Sequence, residues 1–362
     1  MNMDKDAPEH VSNGEHSSVA IGRRQALTTA AKLGLGSAAM IAALKAGHPE
    51  EALAAGRNQD LPKKGFHFVF VNHVTTNAFF TPTQTGAADA CKLLGCSYSW
   101  TGSENSIVAE MTKAMQGAIA GRADGIAVAI IDKHAFDAPT NQAFAAGIPV
   151  VSYNADGSPT NKRLAYIGQD LYQSGFGMGQ RIVSLVGSGN VALFIATLGT
   201  LNIQPRIDGA QAAIKASGKP ITPSVVVTGA LEAAERRVVE SYYLGHNSLK
   251  GMFAVDQGST TGAILTSRKY GLAGKGVKIG GYDLTPEIVK GVSDGVANFT
   301  IDQQPYLQGF YPILQLYLYK LSSGLVGAES MNTGIKFVTR DTVAPYLKPN
   351  VYQGSSSSIY QL

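Results

Sequence analysis

The chain has 362 residues, 44% of them hydrophobic and 15% charged, with a formal net charge of +4 and only two cysteines. That length and balance suffice for two hydrophobic cores and exclude a disordered chain or a disulfide-built miniature fold. The Lys and Arg residues are scattered, and Arg236-Arg237 is the only adjacent Arg pair beyond the N-terminal region, which argues against a nucleic-acid partner.

The first 54 residues read as a leader and not as part of the fold. A polar start runs into Gly22-Arg23-Arg24-Gln25-Ala26-Leu27 and then a small-residue apolar run from Ala30 to Ala46. This is the pattern of a twin-arginine export signal, and Ala52-Leu53-Ala54 supplies a small-x-small cleavage site. The run is too short, and too interrupted by Gly, Ser and Lys32, to span a bilayer. No cysteine near the site offers a lipid anchor, so the expected product is a soluble periplasmic protein beginning near Ala55, with 25 Lys and Arg against 20 Asp and Glu.

From Phe66 onward, apolar runs of strand length alternate with segments of helical period. Strands are predicted at Phe66 to Val74, Ser97 to Thr101, Gly125 to Ile131 and Pro149 to Tyr153, then Val191 to Thr197, Thr222 to Thr228, Gly251 to Val255, Val277 to Tyr282 and Ala297 to Ile301. Their continuous apolar character marks strands covered on both faces, and helices such as Ser106 to Ala120 and Gln204 to Ala216 lie between them. The fold class is therefore α/β, built of doubly wound parallel sheets with right-handed crossovers.

The rhythm breaks three times. Tyr166-Ile167-Gly168-Gln169-Asp170 is a short strand before a Gly-rich helix from Ser174 to Gly187. Pro305 stops one strand and opens a long apolar helix from Tyr306 to Ser322, and Gly334 to Thr339 reads as a further strand. Three crossings imply two lobes joined by a hinge: residues 64–167 with 304–334, and residues 168–303 with 335–350, followed by a tail at 351–362. Cys91 and Cys96, at a helix end and the next strand start, are compatible with a bridge formed after export. A folding step in a reducing compartment favours two buried thiols.

Polar residues gather where apolar strands should end. Asp283 and the run Asp302-Gln303-Gln304 follow two successive strands, the position at which open α/β sheets collect ligands. No nucleophile or metal-ligand set accompanies them, so the pattern suits binding of a polar, uncharged molecule: a carboxylate and an amide together accept from and donate to hydroxyls. Asp256 and Asp132 follow strands in the same way, although each also suits the cap of a following helix. Enzymatic readings find little support. Gly175-Phe176-Gly177-Met178-Gly179 lies inside a helical segment, Gly274-Lys275-Gly276 lacks the hydroxyl of a phosphate loop, and no G-x-S-x-G elbow or metal-ligand histidine spacing is present. No cofactor is expected.

From about Lys64 to Leu347 the chain resembles the exported sugar-binding proteins of ABC importers, of the ribose-binding type. The resemblance is carried by Asn77-Ala78-Phe79-Phe80 after the first strand, Pro149-Val150-Val151-Ser152-Tyr153-Asn154-Ala155 at the fourth, Arg206-Ile207-Asp208-Gly209 at a helix start, Phe253-Ala254-Val255-Asp256-Gln257, Tyr282-Asp283 and Gln303-Gln304-Pro305. It implies the two-lobed type I periplasmic binding protein fold, a monomer that closes on a monosaccharide or sugar alcohol, and delivery to a membrane permease. The alternative it leaves is a sensor component that presents a sugar or furanosyl signal to a receptor or sensor kinase.

The site residues it implies are Asn77, Phe79, Phe80, Asp132, Asn154, Arg206, Asp256, Asp283 and Gln303, with His73 a softer candidate. Phe79 and Phe80 would supply a plate for the C–H face of a sugar, and Arg206 a fork for vicinal hydroxyls. Two departures from the ribose binder stand out. Asn154-Ala155 replaces an acid and an arginine, and Asp256 replaces an asparagine.

Overall fold

A computed structural model describes residues 61–348. The predicted export signal, residues 1–54, and the predicted tail, 351–362, lie outside the described residues. In chain order the elements are β1 (His67–Asn72), α1 (Thr81–Leu94), β2 (Ser97–Gly102), α2 (Val108–Ala120), β3 (Gly125–Val128), α3 (Asp137–Ala145), β4 (Val150–Tyr153), β5 (Tyr166–Gly168), α4 (Leu171–Val186), β6 (Gly189–Ile195), α5 (Gln204–Ala216) and β7 (Ile221–Val227). There follow α6 (Glu232–Gly245), β8 (Gly251–Ala254), α7 (Gln257–Tyr270), β9 (Lys278–Tyr282), α8 (Pro286–Ser293), β10 (Phe299–Asp302), α9 (Leu307–Leu321), β11 (Met331–Asn332) and β12 (Lys336–Val338).

The strands form two six-stranded sheets, ordered β11-β5-β4-β3-β1-β2 and β12-β10-β9-β8-β6-β7. All neighbours are parallel except β12, which runs antiparallel to β10. Each sheet reverses its winding beside its first strand, so the carboxyl ends of β1 and β3, and of β6 and β8, open onto a crevice. The chain passes between sheets after β5, after β10 and between β11 and β12. Central strands such as β3, β4 and β8 are buried along their whole length, as continuous Val, Ile and Ala runs require, whereas edge strand β2 is polar and partly exposed.

The glycines of α4 are packing residues. A Cβ at Gly175 would run into the backbone of Arg206, one at Gly179 into Ala210, and one at Gly209 on α5 into Tyr172. The two helices therefore cross at backbone contact, which fixes the start of α5 and the arginine it carries. A matching pair, Gly86 on α1 and Gly309 on α9, brings the helix after the second crossing against the first lobe.

Cys91 is buried and Cys96 half-buried, both as free thiols. They flank Gly95, whose left-handed φ of 67° ends α1, and Cys96 N donates to Cys91 O at 3.0 Å.

Candidate ligand-binding cleft

One interlobe cavity, with about 370 Å³ of atom-free space including its mouth, is lined by His73, Asn77, Phe79, Phe80, Asn154, Asn202, Ile203, Arg206, Asp256, Gln257, Asp283 and Gln303. Eight of the nine residues singled out in the sequence thus meet at one place. Every one of these eight lies just past the end of a strand or at the start of the following helix.

Asp132 is the exception and is not part of this lining. Its Oδ1 accepts the backbone amides of His134 and Ala135, at 2.9 and 2.8 Å, and closes the turn before α3, which holds its carboxyl below the usual range. The cap role took the side chain, as it commonly does for an aspartate with two free amides ahead of it.

Arg206 organises the second lobe's side of the cavity. It is 2% exposed. Nη1 donates to Val255 O at 2.8 Å, Nη2 donates to Gln303 Oε1 at 3.0 Å and reaches Gln169 Oε1 at 3.4 Å, and the guanidinium lies 4.1 Å from the centre of the Tyr282 ring. The ring is buried, with its hydroxyl 2.7 Å from Ser174 Oγ. Tyr282 is thus a buried plate for the arginine.

Asp283 has a left-handed φ of 77°, a conformation that a short polar side chain tolerates and that turns the carboxylate into the cavity. Its Oδ1 accepts from Gln303 Nε2 at 2.8 Å. The residue at the N-terminus of α8 is Thr285, and Asp283 does not cap it. Burial pushes the Asp283 carboxyl up to about 7, against the opposing pull of Arg206 and the Gln303 hydrogen bond. Of the run Asp302-Gln303-Gln304, only Gln303 faces the cavity, because Asp302 points away to accept from Gln304 N and the Tyr346 hydroxyl.

Asp256 both caps α7 and lines the cavity. Oδ1 accepts from Ser259 N at 2.9 Å and Oδ2 from Ala196 N at 2.8 Å. In the first lobe Asn154, also left-handed at φ 62°, donates from Nδ2 to Gln308 Oε1 at 3.1 Å, and Gln308 in turn reaches Gln303 O and Thr333. Asn77 accepts from Phe79 N at 2.8 Å and so fixes the short turn that carries the aromatic pair. Phe79 and Phe80 stand edge to face at 4.7 Å, and Phe80 packs on His73 and on Trp100, the chain's single tryptophan.

Sequence reasoning missed Gln169, Asn202, Gln257 and Gln308. The loop after β6 crosses to the first sheet's side, where Leu201 N donates to Ile131 O at 2.9 Å and Asn202 Nδ2 meets His73 Nε2 at 3.1 Å. Gln308 left a weak signal as one of three polar side chains, with Gln315 and Lys320, in a largely apolar helix. Burial, and secondarily the charge of Arg206, lower His73 to about 4, so the ring is neutral and accepts from Asn202.

Four buried polar atoms around this cavity have no partner: His73 Nδ1, Asn202 Oδ1, Arg206 Nε and Gln257 Oε1. Buried polar atoms left unpaired cost on the order of 1–3 kcal/mol each, so their convergence marks a place where something else completes them.

The match to known proteins runs along the same span. A family model described as a periplasmic binding protein domain covers residues 68–321. The chain is 46% identical to the xylose/arabinose-binding protein of Sulfolobus acidocaldarius, over 93% of this chain and 90% of that protein. Among solved structures it is similar to an ABC transporter solute-binding protein of Burkholderia graminis in complex with D-arabinose, at 25% identity and a TM-score of 0.72 over 77% of this chain and 97% of that one. It is also similar to a carbohydrate transporter of Acidothermus cellulolyticus in complex with myo-inositol, at 26% identity and a TM-score of 0.69 over 78% and 97%.

Proposed function

Because this chain belongs to the periplasmic binding protein family, we propose that, after export, it captures a monosaccharide or sugar alcohol, first of all a pentose, closes over it, and presents it to the permease of an ABC importer. The observation that carries this reading is the presence of four unpaired buried polar atoms and an aromatic pair around one cavity. A pyranose offers hydroxyls that donate and accept on its rim and C–H bonds on its faces. Donors at Arg206 and acceptors at Asp283, Asn202 and Gln257 suit the rim, and the Phe79 and Phe80 rings suit a face. The pentose preference rests on the likeness to a xylose/arabinose-binding protein and to a solute-binding protein in complex with D-arabinose. Among the described residues no helix is long and apolar enough to cross a membrane.

Capture would be a population shift. The lobes exchange between open and closed forms, and a ligand that touches both favours the closed one by its differential contacts. The Leu201–Ile131 and Asn202–His73 hydrogen bonds add direct lobe-to-lobe contacts to that state. No chemical step is involved.

The test is a set of thermal melts of residues 55–362 against pentoses, hexoses, polyols, amino acids and nucleosides. A ligand at 100 times its Kd adds about 2.7 kcal/mol of stability. A shift confined to sugars or polyols supports the reading, and a shift with amino acids or nucleosides, or none at all, overturns it.

Acid should destabilise the folded cleft. Burial holds His73 at about 4 in the folded chain against 6.5 when exposed, so its contribution to stability is whole above pH 6.5 and is lost as the pH falls through about 4. The expected loss is at most about 1.4 kcal/mol of stability per pH unit in that window. Trp100 fluorescence, through its contact with Phe80, reads it, and His73→Gln should flatten the slope.

A further inference from the structure

The cleft does not end at the cavity around Asp283. It continues into a second compartment with about 380 Å³ of atom-free space including its mouth, close to the 370 Å³ of the first. His73, Asn77, Asn202, Asp256 and Gln257 line both, so the two join across a shared waist. Their far ends differ in chemistry. Phe79, Phe80, Arg206 and Asp283 belong to the first, whereas the second has Ser106, Thr197, Thr200 and Glu235 around the small residues Ala230 and Gly258.

Glu235 gives the second compartment a built polar wall. It stands in the first turn of α6, is 2% exposed, and accepts from Ser259 Oγ at 3.3 Å, which in turn lies 2.8 Å from Thr228 Oγ1. Gly258 makes room for it, since a Cβ there would collide with the carboxyl. The lining has two carboxyl side chains, Glu235 and Asp256, and no lysine or arginine, which selects against a sugar acid or a sugar phosphate.

Three of the four unpaired buried atoms sit at the waist: His73 Nδ1, Asn202 Oδ1 and Gln257 Oε1. Only Arg206 Nε belongs to the first compartment alone. His73 and Gln257 are 6% and 4% exposed, so water does not satisfy these atoms from outside. The neutral His73 ring, accepting at Nε2, leaves Nδ1 as its N–H donor, and the two amide oxygens accept. One donor and two acceptors suit a glycosidic oxygen, which only accepts, with hydroxyls beside it. Beyond the waist the compartment opens outward, because Ser106, Thr197 and Ala230 are half-buried and the residue after each, Ile107, Leu198 and Leu231, is exposed.

We propose that the cleft has two sugar subsites, and that the second compartment takes the second unit of a neutral pentose disaccharide whose first unit occupies the compartment of Phe79, Phe80, Arg206 and Asp283. This inference rests on the sugar-capture reading and extends it from one ring to two. Ser106 comes from the first lobe and Thr197, Thr200 and Glu235 from the second, so the added unit touches both lobes and favours the closed form further.

Calorimetric titrations of the exported protein compare xylose with xylobiose and arabinose with arabinobiose, for the wild type and Ala230→Leu. Ala230 lines the second compartment and not the first, and leucine fills the space without offering a ring on which a sugar stacks. The disaccharide of the recognised pentose is expected to bind the wild type about tenfold tighter than the pentose itself, as one or two added hydrogen bonds supply. In Ala230→Leu that advantage should vanish while the pentose Kd stays within about twofold, since the two sites are separate. If Ala230→Leu does not fold, Thr197→Leu on the same wall takes its place. A wild type that binds the pentose but its disaccharide no tighter overturns the second subsite and leaves pentose capture standing. So does a filled variant that keeps the disaccharide advantage or loses both ligands alike. A folded wild type that binds neither pentose nor disaccharide overturns both readings.

Discussion

Replacing Asp283 by Asn is expected to make the unliganded protein more stable and a much poorer binder. The carboxyl is buried and its pKa rises from 3.8 to about 7. A folded-state value above the unfolded one means that its contribution to stability is whole below about pH 3.8 and is lost as the pH rises through about 7. At neutral pH the cost is on the order of 4 kcal/mol as an upper bound, and Asn avoids it. Asn also tolerates the left-handed backbone at φ 77° and keeps an oxygen for Gln303 Nε2, so it isolates the charge where Ala would add strain. Binding should move the other way. A hydrogen bond to a charged acceptor contributes about 1.5–3 kcal/mol, and two hydroxyls on one carboxylate correspond to roughly two to four decades in Kd. Melting curves and a sugar titration on the same preparation check both signs. A variant that binds as the wild type does would remove Asp283 from the ligand's contacts.

Arg206→Met is the second large effect, and here stability and binding fall together. The guanidinium donates to Val255, Gln303 and Gln169 and lies over Tyr282 within a buried site that also holds Asp283. Removing one charge of a buried set costs about 3–5 kcal/mol. At roughly 2–4 °C per kcal/mol for a chain of this size class, the melting temperature should drop by about ten degrees. Without the arginine the Asp283 carboxyl loses the main influence that lowers it, and titrates higher still. The two substitutions are therefore coupled. Arg206→Met should cost less in an Asp283→Asn background, by about 0.5–3 kcal/mol in a double-mutant cycle. Additive effects would mean that the arginine serves packing alone.

Most of the fold was legible in the sequence because its physics is local. Runs such as Gly125 to Ile131 and Gly251 to Val255 carry an unbroken apolar pattern that only a two-faced burial explains, and the helix at Gln204–Ala216 appears at those bounds. Where tertiary contacts set the limits, legibility ended. The helix read from Ser174 begins at Leu171, since Asp170 caps it by accepting from Gln173 N, and the two-residue strand β11 has no pattern of its own.

The cleft followed the same division. Whereas Arg206 was reached through the family resemblance, at a helix start, Asp283 and Gln303 stood out as polar residues at the ends of apolar runs, a contrast visible in one dimension. Asn202 and Gln169 did not, because their role comes from a loop and a hinge segment brought to the site by distant parts of the chain. Asp132 had the right strand-end position, but two amides ahead of it claimed its carboxylate.

The short link between β11 and β12 bears on how the protein is made. Residues 331–338 place one edge strand on each sheet within a single stretch, with only Thr333, Gly334 and Ile335 between them. During synthesis both sheets therefore wait for the same late segment to emerge from the ribosome, long after β1 and β6 have left it. Until then β5 and β10 each present an open edge, the feature by which nascent chains pair wrongly with one another. A nascent chain halted before residue 331 would expose both edges at once, and a single late event covers them together.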